Sequence, residues 1–389
     1  MSFELIDMIL LLAAAQGLFL SVLIFHRHRK LYANRFLGTL ILGYSLILLH
    51  LFLDEIGFSL YHPILLFAAL GLTFLIAPLQ YLYAKYLIQN RHRFNPSDRV
   101  HFIPLLIYYI SCLIAVRFMY PQLIQIVQSD QSDRIHPFFL GFNWFIIFYA
   151  SIYIFLILRL VSYYGRHIKE VFSSIEKIRL YWLRNITWML AGALTVFMIE
   201  NILYLMGIDF SAQFTLSSTL IALYIYALGY LGLFKSEVFS DPGIESSLRQ
   251  MDEFYPPGPL DMSAKYEKSG LTTDKAKQIE EALRCLMELK KPYLNSNLTL
   301  NQLADMLSIS PHNLSEVINT RFHQNFFDFI NRYRVETVKN DLIDPEKNNL
   351  KMLAIAFDAG FNSKTAFNTI FKKATGKTPS EYRQDHSDS

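Results

Sequence analysis

Apolar residues follow two different rhythms along this chain. Up to about Lys235 they form near-continuous runs, and from about Thr272 onward they recur every three or four positions, the spacing of half-buried helices. Seven of the runs approach the roughly 20 residues that a helix needs to cross a hydrocarbon core about 30 Å thick. They are Ile6–Phe25, Phe36–Leu53, Pro63–Leu87, Phe102–Met119, Phe138–Leu160, Tyr181–Met206 and Phe214–Phe234. Residues 1–235 are therefore expected to be a seven-span transmembrane domain, with a kink at Pro78 in the third span. Residues 236–271 hold Pro242, Gly243, Pro256, Pro257, Gly258 and Pro259, which breaks helices and reads as a linker.

Charge placement orients the spans. Short loops rich in Lys and Arg stay cytoplasmic. The first loop carries Arg27, Arg29, Lys30 and Arg35, the third Lys85, Arg91, Arg93 and Arg99, and the fifth Arg166, Lys169, Lys177, Arg179 and Arg184. The second and sixth carry only Asp54, Glu55 and Asp209, and in the fourth Arg117 and Arg134 are offset by Asp130 and Asp133. This alternation predicts an outside N-terminus and a cytoplasmic C-terminal half in a cell inner membrane. Tyr181, Trp182, Phe142 and Trp144 sit near span ends, as interfacial aromatics do. Positive charges follow the first run rather than precede it, so it reads as an anchor rather than a cleaved leader.

Composition agrees. Of 389 residues 52% are apolar and 18% charged, against about 25% charged in soluble domains. The net charge of +3 is too small to argue for a polyanionic partner. The two cysteines, Cys112 and Cys285, fall in differently solvated halves, which argues against a disulfide or a cysteine metal site. Within the spans, polar residues mark either a ligand site or contacts between helices. Glu200 with Asn201 is the leading ligand-binding pair, followed by Gln16, His50, Gln80 and Asn143. The competing reading is that Glu200 hydrogen-bonds to a neighbouring helix.

The C-terminal half begins with a connecting helix over residues 272–291, capped by Thr272 or Thr273, with Ile279, Leu283, Leu286 and Leu289 on one stripe for packing against the next domain. Thr299 and Gln302 have the spacing of a capping box, opening a helix that buries Leu300, Leu303, Ala304 and Leu307. Ser310 caps a second helix with Pro311 at its first position, burying Leu314, Val317 and Ile318. The two make a helix-turn-helix, leaving His312, Asn313, Ser315, Glu316 and Asn319 outward with side chains suited to base edges or phosphates.

The pattern then recurs. Leu350, Leu353, Ile355 and Ala356 lie on a helix ending at Gly360, and a restart at Asn362 or Ser363 buries Phe367, Ile370 and Phe371. Two related units about fifty residues apart form an internal repeat. A helix containing Phe326, Phe329, Ile330, Tyr333, Val335 and Leu342 joins them, which would let two recognition helices enter successive major grooves about 34 Å apart.

The stretch IAFDAGFNSKTAFNTIFKKATGKTPSEYR resembles the DNA-binding domain of the AraC/XylS family of bacterial transcription regulators, through Ile355, Ala356, Gly360, Phe361, Phe367, Phe371, Lys372, Lys373, Gly376, Thr378, Pro379, Tyr382 and Arg383. Gln324 stands where the family pattern has a glycine. The resemblance covers residues 298–383 and does not reach the apolar half. It implies that His312, Asn313, Ser315, Glu316 and Asn319 on one helix, and Lys364, Thr365, Asn368 and Thr369 on the other, face DNA. Lys372, Lys373, Lys377 and Arg383 would then lie beside phosphates.

The expected fold class is all-α: a polytopic seven-helix bundle over residues 1–235, a linker over 236–271, the connecting helix over 272–291, and a soluble double helix-turn-helix domain over 292–385. The expected function is a membrane-integral, sequence-specific DNA-binding transcription regulator controlled by a signal-sensing apolar domain. The alternative is a receptor or transporter whose terminal domain makes protein contacts only. No phosphate-binding glycine loop, metal-spaced His/Cys cluster or kinase-type motif is present, so neither an enzyme nor a cofactor or metal is expected. Lone His167 and His386 read as surface residues. Expected partners are double-stranded DNA and the lipid bilayer, with RNA polymerase, a second copy of the chain and a signal ligand as further ones.

Overall fold

The computed structural model describes residues 5–27, 31–55, 58, 63–89, 93–114, 136–176, 178, 180–208, 216–236, 244, 248, 271–347 and 349–387. The described residues are all-α, with no named strand. The chain forms two compact units. One comprises residues 1–162 and 180–245, the other Tyr163–Arg179 and Ser246–Ser389.

The N-terminal unit contains α1 (Leu5–Arg27), α2 (Ala33–Glu55), α3 (Pro63–Gln89), α4 (Pro96–Ile114), α5 (His136–His167, whose last residues from Tyr163 belong to the other unit), α6 (Tyr181–Leu205) and α7 (Leu216–Ser236). All seven apolar runs are helical over their described residues. The first six are long and apolar enough to cross a membrane, and the apolar part of α7, Leu216–Gly232, is shorter. Pro78 lies inside α3. Helices approach closely where side chains are small. The Ser21 hydroxyl donates to the Gly38 carbonyl at 2.9 Å, and a Cβ on Gly17 would lie 2.1 Å from the Ser45 oxygen, so a side chain there would require Ser45 to shift. At the basic end of α3 the buried Asp98 carboxylate accepts from Lys85 Nζ at 2.5 Å and from the Tyr86 hydroxyl at 2.9 Å. That pairing offsets the cost of burying the charge.

The C-terminal unit contains α8 (Thr273–Leu289), α9 (Leu300–Met306), α10 (Pro311–Arg321), α11 (Phe326–Ile343), α12 (Met352–Asp358), α13 (Lys364–Thr375) and α14 (Pro379–Ser387). The caps fall at the expected places. Thr272 caps α8, Thr299 and Gln302 form both halves of a capping box, and Ser310 caps α10 ahead of Pro311. Ser363 caps α13. One core gathers Leu283, Leu286 and Met287 of α8 with Leu300, Leu303, Leu314, Ile318, Phe326 and Phe329. A second gathers Val335, Val338 and Leu342 with Ile355, Phe361, Phe367 and Phe371. The long helix α11 thus contributes to both. Its Arg334 is 1% exposed.

Three local expectations change. Leu289 is 78% exposed, and Met287 fills the core in its place. Leu350 precedes α12 and is exposed. The left-handed residue closing the first unit is His323, at φ +53°, not Gln324, and it follows the Ser310 cap at the same spacing as Gly376 (φ +76°) follows the Ser363 cap. The linker lies almost wholly outside the described residues, as do Arg117, Arg134, Asp130 and Asp133.

Candidate functional site

The two expected DNA-reading helices differ in accessibility. On α13, Ala366, Phe367 and Phe371 turn inward, while Lys364, Thr365, Asn368, Thr369, Lys372 and Lys373 are all exposed. The 3.6-residue period alone produces this split, because buried positions 366, 367 and 371 lie on one face. Ser363 holds the N-terminal end of α13 by accepting from the Ala366 amide at 3.1 Å. Lys373 Nζ stands 3.8 Å from Asp328, but the lysine is exposed, so the pair contributes little and the amine stays available.

Helix α10 is covered. His312, Asn313 and Asn319 are half-buried, but Ser315 and Glu316, expected outward, are 5% and 9% exposed. Periodicity placed these two on the polar side of the helix, and tertiary packing buries that side too. One cover is α8, whose Ala276 and Ile279 pack on Val317, with Arg321 donating to the Thr273 carbonyl at 3.4 Å.

The other cover is the segment Tyr163–Arg179, which joins apolar helices α5 and α6 in sequence and belongs to the C-terminal unit. Glu170 Oε2 accepts from Asn319 Nδ2 at 3.2 Å. Phe172 makes an antiparallel bridge to Thr299, with the Leu300 amide donating to the Val171 carbonyl at 2.9 Å and the Ser173 amide to the Leu298 carbonyl at 3.2 Å. Ile168, Val171, Phe172 and Ile175 are buried.

Arg334 receives this segment. Its Nη1 donates to the Ser173 carbonyl at 3.0 Å and to Asn331 Oδ1 at 3.3 Å. Its Nη2 donates to the Ser173 hydroxyl at 3.1 Å and the Asn295 carbonyl at 2.8 Å, and Nε to the Tyr293 carbonyl at 2.8 Å. All five guanidinium N–H groups are used, as a buried guanidinium requires. Burial pushes its pKa down to about 10, against a smaller upward pull from Glu176, which leaves it charged at neutral pH. Gly360 makes room for the contact. At φ +94° a Cβ there would meet the Tyr293 carbonyl oxygen at 2.4 Å and Arg334 Nε at 3.0 Å.

Arg383, expected beside a phosphate, donates to the Leu350 carbonyl at 3.3 Å, and its Nε and Nη2 are buried. It braces α14 against the start of α12. Tyr382 packs edge-on against Phe371, ring centroids 5.4 Å apart. His167 and His386 each bond through Nδ1 to a backbone carbonyl four residues earlier, at 2.8 Å. Among the described residues no group of three or more metal-ligating side chains occurs.

In the N-terminal unit the Glu200 carboxylate accepts from the Ser217 amide at 3.0 Å and the Ser217 hydroxyl at 2.5 Å. It therefore caps the start of α7, the neighbouring-helix contact set against the ligand reading. Asn201 Oδ1 accepts from Asn143 Nδ2 at 2.9 Å. Glu200, Asn143, His50 and Gln80 line one cavity of about 480 Å³, while Asn201 and Gln16 are not among its lining residues. The gathering of four of these polar positions had no signal in sequence beyond their being polar within apolar runs.

Comparison with known proteins bears on the C-terminal unit. Residues 303–385 match the family model described as a helix-turn-helix domain. The chain is 31% identical over 115 residues to the uncharacterized HTH-type transcriptional regulator YijO of Escherichia coli (strain K12), covering 28% of this chain and 40% of that protein. It is 31% identical over 102 residues to the bifunctional transcriptional activator/DNA repair enzyme AdaA of Bacillus subtilis (strain 168), covering 25% of this chain and 47% of that one. The chain thus spans less than half the length of these relatives. A solved structure of a protein of unknown function from Listeria innocua shares 28% identity over 28% of this chain and 96% of its own, with a TM-score of 0.24. Through residues 303–385, the C-terminal part of this chain is a helix-turn-helix domain of the AraC type.

Proposed function

We propose that this chain is a membrane-integral, sequence-specific DNA-binding transcription regulator, anchored in the cell inner membrane with its N-terminus outside and its C-terminal domain in the cytoplasm. The apolar half senses a signal and sets the state of the helix-turn-helix domain. One observation carries the coupling: the segment between α5 and α6 is folded into the DNA-binding unit, where Glu170 holds Asn319 of the first recognition helix. A change in the ends of those two apolar helices would pull on the Ser173 and Glu170 contacts directly.

In the held state only α13 offers a free reading face, so the domain would bind one major groove. Release of α10 from the segment would add the second. Lys372 and Lys373 supply phosphate contacts that set affinity, and Lys364, Thr365, Asn368 and Thr369 supply base contacts. Pairing of two copies would multiply weak single-domain affinities. RNA polymerase contact follows the same role. This reading assigns the domain no enzymatic step.

Footprinting with the full chain in nanodiscs tests the reading. The expected result is protection of a defined promoter sequence, lost or broadened by Lys364→Ala and Asn368→Ala. Absence of protection by the wild-type chain, with the domain folded, would favour a receptor whose terminal domain makes protein contacts only.

A further inference from the structure

The cavity in the N-terminal unit has an apolar body and an acidic end. Five helices, α2, α3, α5, α6 and α7, enclose about 480 Å³, inside the 300–1,000 Å³ typical of small-molecule sites. Asp54, Asn143, Glu200 and Ser217 line it near the helix ends that the second, fourth and sixth loops connect. Tyr44, Ile157 and Leu190 line it ten or more residues away along α2, α5 and α6, a depth of about 15 Å at 1.5 Å per residue. Leu48, Ile76, Ile154 and Leu194 make the intervening wall apolar. Its hydroxyls are engaged, Tyr149 by the Phe74 carbonyl and Tyr153 by His101 Nδ1, each at 3.1 Å, and the Gln80 amide atoms are buried away from the space.

Charge distinguishes the other end. Asp54 and Glu200 bring two carboxylates, and His50 is the one lining side chain able to carry a positive charge, since no Lys or Arg lies among the described lining residues. Whatever the state of His50, the carboxylates outnumber it. The Ser217 amide and hydroxyl give Glu200 hydrogen bonds but no counter-charge. Carboxylates at the margin of an apolar space repel an anionic head, gain little from a neutral one and are stabilised by a cation. Phe142 and Phe197 line the cavity in the same helical turns as Asn143 and Glu200, and ring faces add to the attraction for an ammonium group.

We infer that this cavity binds a lipophilic organic cation, with its charged nitrogen at the Asp54 and Glu200 end and its apolar body along the wall formed by α2, α3, α5, α6 and α7. The inference names a ligand class for the sensing reading above and rests on it for biological meaning, because α5 and α6, which the Glu170 segment joins, both wall the cavity. Binding can be measured without DNA. Failure here would leave the DNA-binding reading standing, and failure of the footprint would leave this one.

The test uses the full chain in phosphatidylcholine nanodiscs with tritiated dodecyltrimethylammonium, whose charge does not titrate, subtracting partition into protein-free nanodiscs. Saturable binding near one per chain is expected, with dodecanol and dodecanoate at least about tenfold weaker as competitors than the unlabelled cation. The double variant Asp54→Asn/Glu200→Gln, which removes both charges and keeps an acceptor for Ser217, should weaken binding at least about tenfold, since a unit charge a few ångströms away still outweighs thermal energy at an effective dielectric constant near 20. Should that variant not fold, Asp54→Asn alone, at an exposed position, is read in the same way. Ala150→Phe, which fills the apolar body, should lower capacity. Binding no greater than to empty nanodiscs, displacement by dodecanol as strong as by the cation, which would mark a site for any lipid chain, unchanged affinity in the charge variant, or unchanged capacity in Ala150→Phe would each overturn the inference.

Discussion

Glu170→Ala isolates the contact between the α5–α6 segment and the first recognition helix. Glu170 is 9% exposed and its carboxylate accepts from Asn319 at 3.2 Å. A hydrogen bond to a charged group contributes about 1.5–3 kcal/mol. The length of this one, and the fact that Asn319 Nδ2 also donates to the Ser315 carbonyl at 2.9 Å, put it just below that range, at about 1.4 kcal/mol. If the released state is a minor one, that energy raises its population about tenfold, and apparent DNA affinity rises by the same factor. The assay is fluorescence anisotropy of the full chain in nanodiscs on a duplex chosen by in vitro selection, at fixed salt. Removing a negative charge would also strengthen phosphate binding without any release. Glu170→Gln separates the two, because it removes the charge and keeps an acceptor for Asn319. Affinity near wild type in Glu170→Gln and about tenfold tighter in Glu170→Ala is expected. Equal tightening in both, or none in Glu170→Ala, refutes the coupling.

Gly360→Ala should lower the thermal midpoint of the C-terminal unit by about 10 °C or more, since it combines a left-handed residue with a Cβ 2.4 Å from the Tyr293 oxygen and a cost of about 2–3 kcal/mol shifts a domain of this size that far. Lys372→Ala should weaken binding to all duplexes alike and reduce the salt slope by about 1, as titration at several salt concentrations would show, whereas a change in sequence preference would place Lys372 at the bases. Cys285 is exposed on α8, so a membrane-impermeant maleimide should label it only after cells are permeabilised. Labelling of Cys285 in intact cells, read in a Cys112→Ser background because Cys112 lies at the outer end of α4, would reverse the assigned orientation.

Local chemistry made most of the helices legible. Thr299 with Gln302, Ser310 with Pro311, and Ser363 each mark a helix start by hydrogen bonds made within three residues, and such spacing survives in a linear string. The inward face of α13 followed from period alone. The cover on α10 did not, because it depends on Val171, Phe172 and Ser173, whose partners lie about 125 to 160 residues away and are mostly backbone carbonyls and amides that every residue carries. Arg334 reads in sequence as one more charge on an exposed helix. Burial on all sides is visible only once Tyr293, Asn295 and Ser173 converge on it. Gln80 was noticeable as a polar residue in a greasy run, but its lack of partners is a property of five helices together.

The Ser173–Arg334 contact also orders events during synthesis. On the proposed membrane reading, the ribosome makes Ser173 long before Arg334 and Gly360, and by then the apolar helices on either side of it have been routed into lipid. The terminal domain can therefore finish its interior only around a piece threaded between two integrated helices. On that reading, a copy whose front half went astray would keep an arginine with two empty N–H groups and a loosened fold.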